Sequence, residues 1–369
     1  VNQNYAQSPD TQALILRYLK IAVALLALLA LDQSMGFIAA GRSLIIPFIV
    51  AIFLTILLSP LLKLLDKWKI PRMISMLLTI ALSVIFVMFV SEILVSSIKA
   101  FMNGYKMYGS RFDELFKNFA LNLGISPEVL TGEKRLIDDQ RAAELFSSFS
   151  ISGFIGALVG ALNNLFSKLI LMFLFLIFLL LGKDQLRIKS EKIFSQETFQ
   201  KLEGIVAKIS SQTQKYLMIK TLVSLITGLL VTVILLLFGV EFPLVWGLLT
   251  FLFNFIPNIG SLIATILPLL FSIIQFESWS IVVWIGICLI SVQFLIGNLA
   301  EPKLMGESVN LSPVVILFSL IFWSLVLGYT GMFLAIPLTV IVKIVLENID
   351  ELRPLGLMMG SAPVSKLES

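Results

Sequence analysis

The stretch FPLVWGLLTFLFNFIPNIGSLIATILPLLFSII, residues 242–274, decides how this chain folds. It carries no charged residue, so lipid or protein must surround it along its whole length. Yet its middle, Asn254-Phe-Ile-Pro-Asn-Ile-Gly-Ser261, sets two amides beside Pro257 and Gly260. Proline removes a backbone hydrogen bond and crowds the preceding turn. Glycine releases the chain from helical dihedrals. In hydrocarbon, freed backbone groups are tolerated only where protein or a water-filled cavity covers them. A span needs about 20 residues, and this run has 33. It therefore reads as two half-helices meeting at a turn, the alternative being one helix kinked at proline.

A second run, residues 314–346, is interrupted in the same manner at Leu327-Gly-Tyr-Thr-Gly-Met332 and again at Pro337. Setting Gly260 on Gly331 puts Ala264 on Ala335, with Pro268 and Pro337 offset by two positions and Trp246 and Trp323 upstream. Paired interrupted segments are a sequence pointer to a transporter's binding site. Gly260 and Gly331 are expected to make the turns from positive φ.

Between the two runs lie an uncharged span, Trp279 to Leu299, and the polar loop Asn298-Leu-Ala-Glu-Pro-Lys-Leu-Met-Gly306. Glu301 follows directly on the span, with Gln293 and Asn298 within two turns before it, on one expected face. A carboxylate there needs a partner or water, and Lys303 is the expected partner. The alternative is an interfacial carboxylate in water. Asn310 and Ser312, just before Pro313, suit a helix N-cap. The substrate-path candidates are Asn254, Pro257, Asn258, Gly260, Ser261, Asn298, Glu301, Pro302, Gly328, Tyr329, Thr330 and Gly331.

Outward from this core, composition points the same way. Of the residues 58% are apolar and 14% charged, where a soluble domain carries about 25% charged. Mean hydropathy is +0.99. The fold class is therefore an all-α integral membrane protein. There is no histidine, and Cys288 is the single cysteine. That excludes an intramolecular disulfide, a His/Cys zinc site, and Ser-His or Cys-His nucleophile pairs. No enzyme activity, cofactor, metal or nucleic-acid partner is expected. The bilayer is the first partner.

Spans are predicted at Ile21–Ala40, Leu44–Leu62 and Met73–Ile98, the first uncleaved although it follows Arg17 and Lys20 like a signal peptide. Asp32 and Glu92 fall toward span ends, where interfacial roles suit them. The chain divides into residues 1–98, the first three spans, and 99–150, a polar extracytoplasmic helical segment of mixed charge. Next come 151–220, a fourth span and a basic amphipathic region, then 221–346, the transport core, and 347–369, a cytoplasmic tail. Gly156 and Gly160 stand at a spacing that permits close helix approach. The basic segments 63–72 and 183–220 are two spans apart and so share a side, the cytoplasm by the positive-inside rule. The N-terminus is then cytoplasmic too.

Ile256-Pro-Asn-Ile-Gly260 with Pro268, Gly297-Asn298, Glu301-Pro302-Lys303, Gly306, Leu311-Ser312-Pro313, Gly328, Gly331 and Pro337 resemble the autoinducer-2 exporter family of predicted permeases. The resemblance covers essentially the whole chain, and the C-terminal motifs are its specific part. It implies a bacterial inner-membrane protein of about eight membrane segments that exports a small polar solute, and a homopentameric arrangement. Some members are linked to the quorum signal autoinducer-2, others to sodium or lithium exchange for protons, in which Glu301 would be the exchanging carboxylate. A non-transporting scaffold or receptor with 99–150 as its sensor is the third reading. The topology has a direct test in a Cys288→Ser background. In intact spheroplasts an impermeant thiol reagent should label a cysteine at Ser110 and spare one at Ser195; the reverse pattern sinks the assignment.

Overall fold

The computed structural model describes residues 41–93, 95–96, 151–257, 259–305 and 309–361. The first predicted span with Asp32, the 99–150 segment, Asn258, Gly306 and the end of the tail lie outside the described residues. Among those described there is no strand. Ten helices follow one another: α1 (Gly41–Lys67), α2 (Arg72–Ile93), α3 (Ile151–Ile193), α4 (Gln196–Leu237), α5 (Pro243–Phe253), α6 (Ile259–Gln275), α7 (Trp279–Met305), α8 (Pro313–Leu327), α9 (Tyr329–Glu347) and α10 (Arg353–Met358). Helices α1, α2, α4, α7 and α9 are long and apolar enough to cross a membrane, and α3, bent by 51° beside Gly182, makes a sixth.

The centre of the molecule is α4. Its apolar window is 39% buried and that of α9 is 44% buried, against 17% for α1 and α2. Helix α2 exposes most of its Leu, Ile and Phe side chains, as lipid contact requires, while those of α1 are mostly half-buried. Ala51 of α1, Met76 of α2 and Leu176 of α3 join in a peripheral cluster. Phe53 of α1 meets Tyr216 and Leu217 of α4 and Ile336, Val340 and Ile344 of α9. On the other half of α4, Val231 and Leu235 pack on Phe271 of α6 and on Ile285 and Leu289 of α7. Helix α5 lies closest to α4. A Cβ on Gly247 would stand 1.8 Å from the Thr232 hydroxyl and 2.6 Å from the Gly228 carbonyl oxygen. Small residues therefore set that crossing. Helix α4 also runs unbroken through residue 220, where the sequence divides basic region from transport core.

Both interrupted runs fold back on themselves. Residues 246 and 271 would be far apart on one straight helix, yet the rings of Trp246 and Phe271 are 5.4 Å apart. Likewise the Trp323 indole N–H donates to the Thr339 hydroxyl at 3.0 Å. So α5–α6 and α8–α9 are helical hairpins. Their mouths lie at opposite ends of α4. At the C-terminal end, Gln275 donates to the Gly239 carbonyl at 2.8 Å and accepts from the Glu241 N–H at 2.9 Å. At the N-terminal end, Lys208 of α4 pairs with Glu347 of α9 at 3.2 Å. Hairpins entering from opposite faces are the arrangement of an inverted repeat.

The turns differ from expectation in their cause. Gly260 and Gly331 do not have positive φ; Gly239 and Gly328 do. What Gly260 and Gly331 supply is the absence of a side chain. A Cβ on Gly260 would stand 1.8 Å from the Phe253 carbonyl oxygen, and one on Gly331 1.8 Å from that of Trp323. Each second arm thus rests on the last turns of the first. Phe253, rather than Trp246, is the counterpart of Trp323. Ala264 and Ala335 are both buried, as are Pro268 and Pro337. Ser312 caps α8, accepting from the Val315 N–H at 3.3 Å. Asn310 does not cap. It sits at φ 34°, and its carbonyl accepts from Lys343 at 2.7 Å.

An alanine at either hinge glycine drives a methyl into a backbone carbonyl, and overpacking costs about 1–3 kcal/mol, occasionally more. Gly260→Ala and Gly331→Ala are expected to lose thermal stability in detergent, read as folded protein surviving heating on size-exclusion chromatography. Gly297→Ala, whose added Cβ meets nothing within 4 Å, is expected to keep it. A wild-type melting curve for Gly260→Ala would rule out the closed turn.

Candidate transport site

One face of α4 is polar and buried through the centre of the bundle. Thr213, Tyr216, Lys220, Ser224 and Thr227 recur every three or four residues, so they share a stripe, and all are buried. From Thr213 to Thr227 the stripe is about 21 Å long at helical rise. Lys220 forms an ion pair with Glu301 of α7, the two side chains being 4% and 18% exposed. Lys303, the expected partner, is exposed. The residue chosen is 81 positions away in sequence, and antiparallel packing of α4 and α7 brings it there.

A π-helical turn, Leu295–Ala300, immediately precedes Glu301, whose N–H reaches back to the Ile296 carbonyl. Such turns insert a residue into the helix and recur at functional sites. This one breaks the register on which Gln293, Asn298 and Glu301 were expected to share a face. Glu301 meets α4, while Asn298 is exposed.

Just above the pair, Asn254 at the tip of the first hairpin donates to the Ser224 hydroxyl at 3.1 Å. Ser224 is one turn of α4 from Lys220. The same tip turns its apolar side to the second hairpin, where Ile256 packs with Leu320 and Ala335, and Phe253, Trp323 and Met332 join them. The Tyr216 hydroxyl lies within electrostatic reach of Glu301. Five buried polar atoms have no hydrogen-bond partner among the described residues: the hydroxyls of Thr213, Tyr216, Thr221 and Thr250, and the amide nitrogen of Gln293. Each such group costs about 1–3 kcal/mol if left unsatisfied. They fall on α4 and on α5 and α7, two of the helices packed against it, so the arrangement is one that hydrogen-bonds water or a polar solute.

Other candidates are dispersed. Pro257, Ser261 and Thr330 are half-buried, Pro302 is exposed, and Tyr329 is 84% exposed. Gly328 makes the second turn, at φ 66° and ψ −149°. Among the described residues no three His, Cys, Asp or Glu side chains converge to hold a metal.

Two contributors escaped the sequence reading. Lys220 was grouped with the basic residues of 183–220, although it stands inside the apolar run that begins at Leu217 with hydroxyls at helical spacing on both sides. Arg42, in the first turn of α1, donates to the Val326 carbonyl at 2.8 Å and also to that of Leu325. It places a cation on the free carbonyls at the C-terminus of α8, where the helix dipole favours one. The early helices are thereby pinned to the tip of the second hairpin.

Residues 19–351 match the pattern of the AI-2E family transporters. Among individual proteins, the AI-2 transport protein TqsA of Escherichia coli K12 is 31% identical over 341 residues, covering 89% of this chain and 92% of TqsA. A candidate transport protein of Borreliella burgdorferi is 40% identical over 199 residues, 54% of this chain and 55% of that protein's length. YhhT of Escherichia coli K12, also a candidate transport protein, is 29% identical over 359 residues, 93% of this chain and 96% of YhhT.

Removing one partner of a buried ion pair strands the other and costs about 3–5 kcal/mol. The partial exposure of Glu301 sets Lys220→Met at the lower end. Adding Glu301→Leu is expected to restore most of the loss, so the two changes are strongly non-additive in a double-mutant cycle of detergent unfolding. Simple additivity would mean the pair is not coupled.

Proposed function

We propose that this chain, which belongs to the AI-2E transporter family, passes a small polar solute across a bacterial inner membrane along the polar stripe of α4. It is a multi-pass membrane transporter and not an enzyme. The observation that carries the solute reading is the pairing of Glu301 with Lys220. Proton-coupled cation exchange needs a carboxylate that holds a proton and a cation by turns. Glu301 already has a tethered cation, which an incoming sodium ion would have to displace. A neutral polar solute asks instead for hydroxyls and amides, and Tyr216, Ser224, Asn254 and Gln293 supply them. The name of the relative TqsA makes autoinducer-2 the first solute to test, with export the direction.

In this reading the N-terminus and the Lys220–Glu301 end of the bundle face the cytoplasm. The first hairpin enters from outside and the second from inside. Each tip reaches past the centre of the bundle, so the two together separate the aqueous sides. The subunits associate as a homo-oligomer, a pentamer by family resemblance; finding only monomer by native mass spectrometry in mild detergent would count heavily against it.

Proteoliposomes test the substrate. Autoinducer-2 flux through the wild type should persist without sodium or proton gradients, and Glu301→Gln should slow it several-fold without abolishing it. Sodium-driven proton movement that disappears in Glu301→Gln, with no autoinducer-2 flux in the wild type, would replace this reading with cation exchange.

A further inference from the structure

Away from α4, a cavity of ≈ 200 Å³ opens where α1, α2 and α3 meet at the basic end of the helices. Thr55, Ser59, Lys63 and Asp66 of α1, Arg72 of α2 and Leu180 of α3 line it. The two hydroxyls have fixed roles. Thr55 donates to the Ala51 carbonyl at 2.7 Å and Ser59 to that of Ile56 at 2.9 Å. Their hydrogens are spent on backbone, so toward a guest they offer lone pairs. They stand about 10 and 16 Å along α1 from Asp66 at helical rise, so beside Lys63 the acceptor is the Asp66 carboxylate.

The cations stand beside it. Arg72 pairs with Asp184 of α3, which ties the mouth of the cavity together. Among the described residues neither Lys63 nor Asp66 has an ion partner within 4 Å, although both line the same cavity. A simple anion would satisfy Lys63 and be repelled by Asp66. A simple cation would do the reverse. The guest that fits carries a phosphate and, two carbons away, a primary ammonium with hydrogens to donate to the Asp66 carboxylate. The residues next in sequence to the lining residues on α2 and α3 add a further constraint. Met73 and Leu77 of α2 and Leu181 of α3 are large, apolar and exposed, as suits acyl chains running from a headgroup at the membrane surface. Basic pockets between helices at that level are a recurring form of lipid recognition.

We propose that this cavity binds the phosphoethanolamine headgroup of a membrane lipid, with Lys63 on the phosphate and Asp66 on the ammonium. The site stands apart from the transport stripe and does not depend on what is carried. The test is native mass spectrometry of the full chain in mild detergent, titrated with phosphatidylethanolamine, phosphatidylcholine and phosphatidylglycerol of matched acyl chains. Phosphatidylcholine keeps the charges but has no N–H; phosphatidylglycerol has no cation. Phosphatidylethanolamine should bind roughly tenfold tighter than either, the size of a lost charge-assisted hydrogen bond. Asp66→Ala, which removes the acceptor, should erase its advantage over phosphatidylcholine, and Lys63→Gln should weaken all three. Both positions are exposed, and unchanged melting of the variants confirms intact folding. Equal affinities, or a preference that survives Asp66→Ala, would overturn the proposal. So would soluble phosphoethanolamine binding as tightly as the lipid, which would make the guest a free solute.

Discussion

A helix that stops inside a bilayer leaves carbonyls and N–H groups with no water to receive them, and the protein itself must cover them. Everything central in this molecule answers that demand. At the first tip, the N–H groups of Asn254, Ile256 and Gly260 bond to the carbonyls of Thr250, Phe253 and Ile256. At the second, Gly328 and Gly331 bond to Ser324 and Gly328, and Arg42 takes the carbonyls that α8 leaves free. The closeness of the arms follows from the same need. A methyl group at residue 260 or 331 would hold them apart and expose the backbone between them.

With the turns closed, α4 becomes the element both hairpins share. Its small residues admit α5 on one side, and its apolar residues receive α9 on the other. That leaves one face on which polar groups can be kept from lipid. A lysine in that position is tolerated because a carboxylate from α7 meets it, and the π turn aims that carboxylate. The ion pair contributes little net stability, since desolvation offsets much of its attraction. Its effect is to fix how α4 and α7 sit against each other beside the tip of the first hairpin.

Much of this was legible in the residues. Hydropathy located the spans, and Pro257, Gly260, Gly328 and Gly331 marked the turns because few residue types break a helix. Ser312 declared itself as a cap by standing before Pro313. What escaped has a common cause. The partner of Glu301 is set by packing between distant helices, so the nearest basic residue, Lys303, was a poor guide. The π turn has no sequence signature, and without it Asn298 counts onto the wrong face. The roles of Gly260 and Gly331 were misread for a related reason. Glycine is needed both for unusual dihedrals and for close contact, and only the neighbouring chain distinguishes the two.

The separation of Lys220 from Glu301 along the chain also bears on how the protein is made. Lys220 leaves the ribosome 81 residues before its partner. At about 5–20 residues per second that interval is roughly 4–16 s. Until α7 arrives, the ammonium of Lys220 has only water or lipid headgroups for company. Burying an unpaired lysine in a span is costly, and in the folded protein that cost is offset by the carboxylate α7 delivers. Arg42 waits longer still, for carbonyls more than 280 residues downstream. The order of the helices thus sets the order in which partners for the buried charges are synthesised.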